Sequence, residues 1–572
     1  MKFRWNIAAP QPLLADPLAM ALQLPPLLAQ CLINRALQTP AAAAAFLAPR
    51  LKALADPGLL PNMASAVDRL WHARTRGEAI VIFGDYDVDG ITSSALLIES
   101  LRALGWRADS YLPGRMDEGY GLTQEGVEHC LQKFPDVTLL LAVDCGSKDV
   151  SSIAWLRGRG VETLVLDHHQ PSDPAPDAMA IVNPHLVPEG PFHELCSAGL
   201  AFKLIHAIVK RGRAEGLPGF DQFDLRPLID LVALGTVADL VPLTGENRIL
   251  ASVGLRRLRD TSRIGLKALK NIAGVEGNVD ASAVGFQLGP RLNAAGRLEN
   301  AASALELLLA DDEAMAGKLA SELDAHNRQR QEIERGMAGA AIGAVRARFD
   351  GARDYVIIEG QMLWHIGVVG IVASRVQREF HRPTIILGGD NALLRGSGRS
   401  IEGFDLAAAL RECDDLLIRH GGHAMAAGIT VRPDKVAALE ERLNAIARRL
   451  LQPEQLRPVL RLDAETDLAA LALETVESFA RLEPFGQGNP AVQVVVRNLR
   501  SDRPPIRMGK EKQHAKLFVT GGAEKAEVLF WNIGDAALPE GPFDLAAVPQ
   551  INEFAGRRTV KFKGLDWRPA TA

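Results

Sequence analysis

Cysteine is nearly missing: five residues in a chain of 572. They are Cys31, Cys130, Cys145, Cys196 and Cys413, widely scattered and without a CxxC pair. That spacing excludes a disulfide scaffold, a structural zinc site and an iron–sulfur cluster. Long apolar runs are missing too. None approaches the ~18–20 residues of a membrane span, and MKFRWNIAAPQP at the start lacks a signal-peptide core. The expected compartment is the reducing cytoplasm, with no membrane partner. There is no excess of positive charge, the formal net charge being −5. If the ligand is a polyanion, the positive charge must be local or supplied by metal ions. What is present is ordinary for a folded protein: 47% hydrophobic and 23% charged residues. The length allows roughly three to four domains.

The pattern changes several times along the chain. Residues 1–75 are rich in Ala, Leu and Pro and read as an N-terminal segment of short helices. From residue 76 to 310, short apolar runs alternate with helical stretches. The expected strands are Ala79–Phe83, Thr138–Val143, Glu162–Leu166 and Ala180–Val182. The helices between them are Thr92–Leu104, Thr123–Phe134 and Val150–Gly158. Continuous apolar strands separated by helices predict an α/β fold with a doubly wound parallel sheet. A helical stretch from Asp311 to Arg348 follows, as one helix or two, with residues 311–345 connecting two domains. A second, smaller α/β unit over 346–452 has strands at Tyr355–Ile358 and Thr384–Leu387, and helices at Gly367–Arg378 and Asp405–His420. The last part, 453–572, carries five short β-like segments: Val492–Val496, Lys516–Thr520, Glu527–Trp531, Asp544–Val548 and Thr559–Phe562. These predict a small barrel resembling an OB-fold.

Acids fall where the strands end. The first apolar run passes into Asp85-Tyr86-Asp87-Val88-Asp89-Gly90, the second into Asp144-Cys145-Gly146, the third into Asp167-His168-His169. The carboxyl ends of parallel strands converge on one crevice. On an extended backbone, Asp85, Asp87 and Asp89 would point to one side. Carboxylates that close repel one another and make a natural cation site. Carboxylate and imidazole without thiolate suit Mn²⁺ or Mg²⁺. A further acid is expected at Asp239, at the end of the small-residue segment GTVAD, which lets the backbone approach a crowded site. Asp230 is the competing candidate.

The series DYDVDG, VDCGS, DHH and GTVAD resembles the DHH phosphoesterase superfamily. With GPRLNAAGR, WHIGVVGIVASR, GSGRS, GGHAMAAG and PFGQGNP downstream, it is similar to that superfamily's bacterial exonucleases of single-stranded DNA. The resemblance covers roughly residues 60–570. It implies a hydrolase that degrades single-stranded DNA in the 5′→3′ direction to 5′-nucleoside monophosphates, in recombination and repair. A helicase and a single-strand-binding protein are the implied partners, and the chain is expected to act as a monomer. Two divalent ions, Mn²⁺ or Mg²⁺, would be held by Asp87, Asp89, Asp144, His168 and Asp239. Asp85 would be a direct or an outlying ligand, and His169 would stabilise the scissile phosphate. Such a pair of cations activates water and steadies the attacking and leaving oxygens.

Substrate contacts are expected from Arg115, from Arg291, Asn293 and Arg297, and from Ser397, Arg399 and His423. In the family the last group belongs to the DHHA1 domain, which holds the 5′ end. Gly421-Gly422 can also be read as the C-cap of the helix expected before it. Six Lys/Arg stand against two acids between Arg497 and Lys512, followed by Phe518, Phe530 and Trp531. A basic groove with aromatic platforms suits single strands. The rival readings are a DHH-family oligonucleotide or cyclic-dinucleotide phosphodiesterase, and a non-catalytic DNA-binding factor.

Overall fold

The computed structural model describes residues 3–114, 118–119, 121–298, 301–389, 392–554 and 556–570. The chain forms two compact units: Ala45–Arg330 with Leu482–Pro490, and Met1–Ala44 with Gln331–Arg481 and Ala491–Ala572.

The first unit is built on five strands, β1 (Ala79–Gly84), β2 (Arg107–Tyr111), β3 (Leu139–Val143), β4 (Glu162–Leu166) and β5 (Ala180–Val182). They lie in the order β2-β1-β3-β4-β5, and every neighbouring pair is parallel. Winding reverses between β1 and β3, which opens a crevice beyond their carboxyl ends. Successive side chains enter opposite layers. Ile80, Ile82, Leu139, Leu141, Leu164 and Leu166 join the core of helix α1 (Val88–Ala103). Val81, Phe83, Leu140, Ala142 and Val165 join the core of helices Gln124–Lys133 and Val150–Arg157. A sheet covered on both faces requires strands apolar at every position, which is why these were legible. β2 was not: its sequence RADSY is largely polar because it is an edge strand. Helices α2 (Ser197–Ala214) and α3 (Ile229–Ala238) pack in the same layer as α1. Helix α4 (Gly289–Leu298) follows.

Helix α5 (Glu313–Arg348) is a single helix of 36 residues, about 54 Å at 1.5 Å per residue. It begins in the first unit and ends in the second.

The second unit holds two sheets of interest. β6 (Ile357–Gly360), β7 (Thr384–Gly389), β8 (Leu394–Arg399), β9 (Leu417–His423) and β10 (Ala426–Val431) are ordered β9-β10-β8-β7-β6. Only β6 and β7 pair in parallel; the other pairings are antiparallel. Helix α6 (Val369–Phe380) lies between β6 and β7 in the chain. The helix expected over Asp405–His420 is only Leu406–Arg411, and the chain then extends as β9. Leu417-Ile418-Arg419-His420 carries no 3.6-residue apolar repeat that would hold a helix. Gly421-Gly422 is therefore not a helix cap but part of a hairpin with β10.

The C-terminal sheet comprises a short strand, Ala464–Thr466, paired with β11, and the strands β11 (Val494–Met508), β12 (His514–Gly521), β13 (Glu524–Phe530), β14 (Phe543–Phe554) and β15 (Arg557–Pro569). The order β11-β12-β13-β15-β14 closes back on β11 as a barrel, as an OB-fold requires. The strands are longer than the sequence suggested. Their apolar middles were visible, whereas polar ends such as Arg500–Met508 extend into solvent and carry no pattern. The N-terminal region is not purely helical either. Arg4–Ile7 is a strand paired in parallel with Val459–Leu462, and the Trp5 indole donates to Asp566 at 3.0 Å.

Candidate metal centre

Asp85, Asp87 and Asp89 do not lie on one extended strand. Asp85 follows β1, Asp87 caps α1, and Asp89 is already in its first turn. The Asp87 carboxylate accepts from the N–H groups of Asp89 at 2.9 Å and Gly90 at 3.2 Å. The turn is tight: a Cβ on Gly90 would sit 2.4 Å from the Asp85 carbonyl oxygen. The turn divides the acids. Ligand atoms of Asp85, Asp87 and Asp144 lie within 4.8 Å of one another, as do those of Asp89, His168 and Asp239, and those of Asp144, His168 and His169.

Asp144 leaves β3 with φ of +65°, in the left-handed region. Asp and Asn tolerate that region better than other residues bearing a Cβ. This places the carboxyl among its partners, His168 Nε2 lying 3.4 Å from Asp144 Oδ1. The same nitrogen is 3.5 Å from Asp239 Oδ2 and 3.9 Å from Asp89 Oδ2. His168 Nε2 and Asp239 Oδ2 are buried and make no hydrogen bond. Converging donors left without a partner are what a cation site presents. Burial and the charges of Asp89, Asp87 and Asp85 push Asp239 up to about 9. Burial and Asp87 push Asp89 to about 6. Burial, then Asp89 and its neighbours, hold Asp144 well above the carboxylate range. Burial and the neighbouring His169 pull His168 down to about 4. Without a cation, the cluster thus resists carrying its full negative charge.

Asp167 ends β4 but belongs to a different network. It accepts from Ser147 N–H at 3.0 Å, from His169 N–H at 3.1 Å and from His169 Nδ1 at 2.8 Å. Burial opposes its ionisation, but the His169 contacts prevail and hold it at about 2. Asn183 donates to the His169 carbonyl at 2.7 Å and to Ser147 Oγ at 2.8 Å.

The N-terminus of α2 supports the acids directly. Ser197 and Ala198 donate their backbone N–H groups to Asp89 at 2.7 and 2.9 Å, and Ser197 Oγ donates to Asp144 at 2.9 Å. Unpaired N–H groups and the positive end of the helix dipole favour a carboxylate there. Sequence reasoning missed Ser197, Asn183 and Ser147. Nothing local marks them, since their partners are distant in the chain.

Asp239 ends α3, and Gly235 explains its approach. A Cβ there would lie 2.5 Å from Thr92 Oγ1 and 2.8 Å from Asp89 Oδ1. Asp230, its competitor, lies elsewhere and is engaged by Thr261 Oγ1 at 2.9 Å and Arg263 Nε at 3.0 Å. It is a structural ion pair, not part of the cluster.

The expected substrate residues divide. Arg115 lies outside the described residues. Asn293 accepts from Val88 N–H at 3.1 Å, so it braces the acid turn. Arg291 is paired with Asp324 at 2.9 Å and bonds the Gln287 carbonyl at 2.7 Å. Arg297 is near the end of α4, and Gly296 beside it lets the helix lie against Tyr86, where a Cβ would be 2.8 Å from the carbonyl oxygen. In the second unit, Arg399, Ala426 and His423 align across β8, β10 and β9, and Ser397 aligns with Gly428 and Gly421. Ser397, Arg399 and His423 therefore share one sheet face. Arg399 Nη1 donates to Ser397 Oγ at 2.9 Å. Gly370 of α6 faces both, a Cβ there lying 3.0 Å from the Arg399 guanidinium.

On the barrel, Phe530 is buried, Phe518 lies under Arg503 at 3.4 Å, and Trp531 is exposed. Only Trp531 remains an open platform of the three.

Residues 79–236 match the DHH family, N-terminal domain, 354–449 the DHHA1 domain, and 462–566 the RecJ OB domain. With the acid-lined crevice at the switch of a parallel sheet, these matches define a DHH-family protein with a DHHA1 domain. The single-stranded-DNA-specific exonuclease RecJ of Bacillus subtilis is 36% identical, over 97% of this chain and 70% of its own. That of Haemophilus influenzae is 38% identical, over 89% and 91%. The crystal structure of RecJ from Thermus thermophilus in complex with Mn²⁺ superposes with a TM-score of 0.84 at 31% identity, covering 100% of this chain and 80% of that one. Its complex with Mg²⁺ gives 0.79 at 30% identity, covering 100% and 79%. The chain belongs to the RecJ family of single-stranded-DNA-specific exonucleases.

Proposed function

We propose that this chain hydrolyses single-stranded DNA from its 5′ end, releasing 5′-nucleoside monophosphates with the aid of two divalent ions, Mn²⁺ or Mg²⁺. The observation that carries the reading is the meeting of Asp85, Asp87, Asp89, Asp144, His168 and Asp239 in overlapping groups of ligand atoms within 4.8 Å. The buried, unbonded His168 Nε2 and Asp239 Oδ2 fit cations. Asp89, His168 and Asp239 would hold one ion and Asp85 and Asp87 the other, with Asp144 beside both. Bound there, the ions supply the charge that polarises the phosphodiester and acidifies a water.

The protein's own residues do the rest. Asp167 fixes the His169 ring through Nδ1, leaving Nε2 to donate towards charge developing on phosphate. Ser397, Arg399 and His423 form the proposed seat for the 5′-terminal phosphate, since a guanidinium and a hydroxyl suit its oxygens. Capturing that end sets polarity. The basic strand β11 and Trp531 would hold the trailing strand. Family membership supports a role in recombination and repair in the cytoplasm, beside a helicase and a single-strand-binding protein. The RecJ OB domain disfavours a dinucleotide phosphodiesterase.

The test is digestion of 5′- and 3′-end-labelled single strands with Mn²⁺ or Mg²⁺. Mononucleotides should leave the 5′ end first, and chelator should stop the reaction. Release from the 3′ end first, or turnover indifferent to chelator, would refute the assignment.

A further inference from the structure

Helix α4 continues, towards its N-terminus, into a π-helical turn, Val284–Leu288. Such turns recur at functional sites, because the wider coil re-aims the side chains before it. Val284 and Leu288 of the turn are fully buried, whereas Phe286 between them is 77% exposed. A lone exposed aromatic is ordinary on a protein surface. This one is set apart by its place on the helix.

Gly289, Asn293 and Gly296 recur at intervals of four and three, the spacing of one helix face, and Phe286 stands in the π turn that leads into that helix. The three helix residues touch the segments that carry the acids. A Cβ on Gly289 would lie 3.7 Å from the Cβ of Ala238, the residue before Asp239. Asn293 accepts from Val88 N–H in the acid turn, and Gly296 abuts the Tyr86 carbonyl between Asp85 and Asp87. This face therefore runs along the acid-bearing turn and reaches the end of α3 at Gly289, three residues after Phe286. Among the described residues little covers the Phe286 ring.

We propose that Phe286 is a nucleobase-stacking platform at the rim of the acid cluster, engaging an unpaired base of the DNA strand whose phosphodiester is being cut. This rests on the exonuclease reading and deepens it. A phenyl face accepts any base, so it would tolerate sequence. It also demands a base free of its partner, since a paired base within a duplex is already stacked on both sides. Phe286 would thus contribute to single-strand selectivity through binding, as a specificity residue and not a catalytic one.

The experiment compares the full-length protein with Phe286→Ala and Phe286→Trp. KM for 5′-phosphorylated oligo(dT) should rise about tenfold in Phe286→Ala, the scale of one lost stacking contact. kcat and Mn²⁺ affinity should not change, and Phe286→Trp should restore KM. Fluorescence anisotropy without divalent metal should show the same loss of DNA affinity. A single abasic residue is then moved along the strand. At one position it should raise KM for the wild type and leave Phe286→Ala unaffected. An unchanged KM and affinity in Phe286→Ala, or identical abasic profiles for the two proteins, would overturn the platform. A wild type that degrades no single strand would instead remove the exonuclease reading, so the two failures are distinguishable.

Discussion

At the scale of single residues, Asp144 concentrates the problem the site has to solve. It is buried, stands among four other carboxylates and adopts a left-handed backbone. The identity of the side chain matters for both reasons. Asn keeps the shape and the tolerance for positive φ, whereas Ala adds roughly 1–2 kcal/mol of backbone cost. Asp144→Asn should therefore fold with a melting temperature close to the wild type, yet lose roughly 10³-fold or more in kcat, as expected for a group acting in a catalytic unit. Asp144→Ala should lose activity and stability together. Thermal unfolding beside single-turnover hydrolysis separates the two effects, and an active Asp144→Asn would remove the carboxylate from the mechanism. The same scale shows how a local reading of sequence can mislead. Asp85, Asp87 and Asp89 alternate as a strand would, but the turn into α1 sends Asp89 to a different group of ligands. Asp230, the competitor of the preferred Asp239, proved to be the counter-ion of Arg263.

At the scale of elements, the acids are presented by strand ends and helix ends, not by flexible loops. β1 and β3 deliver Asp85 and Asp144 from one side, β4 delivers His168 beside them, and the N-terminus of α2 receives Asp89. Ser197 is the hinge of this arrangement, donating N–H to Asp89 and Oγ to Asp144. Ser197→Ala keeps the backbone contact and removes the hydroxyl. Mn²⁺ affinity should fall about 10–100-fold, the usual cost of losing an orienting hydrogen bond behind a metal ligand. Stability should fall by about 1 kcal/mol. Isothermal titration with Mn²⁺ reads the first and denaturant unfolding the second. The elements that were legible were those with one dominant demand. AIVIF, LLLAV and ETLVL had to be apolar because both faces of the sheet are covered. RADSY on the edge had no such demand, and β9 broke a helix reading because Leu417–His420 lacks a helical repeat and pairs with β10 instead.

At the scale of the whole molecule, the charge balance is negative while the ligand is a polyanion, so the cationic surface must be placed. Within the basic run on β11 and its turn, Arg497 is paired with Asp544 and Glu465, and Arg507 bonds the Ala536 carbonyl. Arg500, Lys510 and Lys512 are exposed and make no ion pair among the described residues. If the barrel holds the strand, these three would make the phosphate contacts. Replacing all three by Gln should weaken single-strand affinity and lower the slope of log K against log salt by about 2, at ~0.7 per contact. An unchanged slope would assign the electrostatic contact to another face. The chain path has its own message. Leu482–Pro490 lies beyond the second α/β domain in sequence, yet folds into the first unit. Leu243 N–H donates to the Gln487 carbonyl at 2.7 Å, and the buried Arg248 donates to the Leu482 and Glu483 carbonyls at 2.8 Å. PFGQGNP thus braces the turn that follows Asp239, a role invisible in the motif itself.

Which stretches become strands, which strands end in acids, and that the acids ask for a cation could all be read along the chain. Burial on two faces and the repulsion of like charges leave their marks in local composition. How the acids divide into groups, which of two aspartates joins them, and which helix end steadies them were decided only by folding. Those choices depend on contacts between residues tens to hundreds of positions apart, and a hydrogen bond from Ser197 to Asp89 leaves no trace in the residues on either side of it.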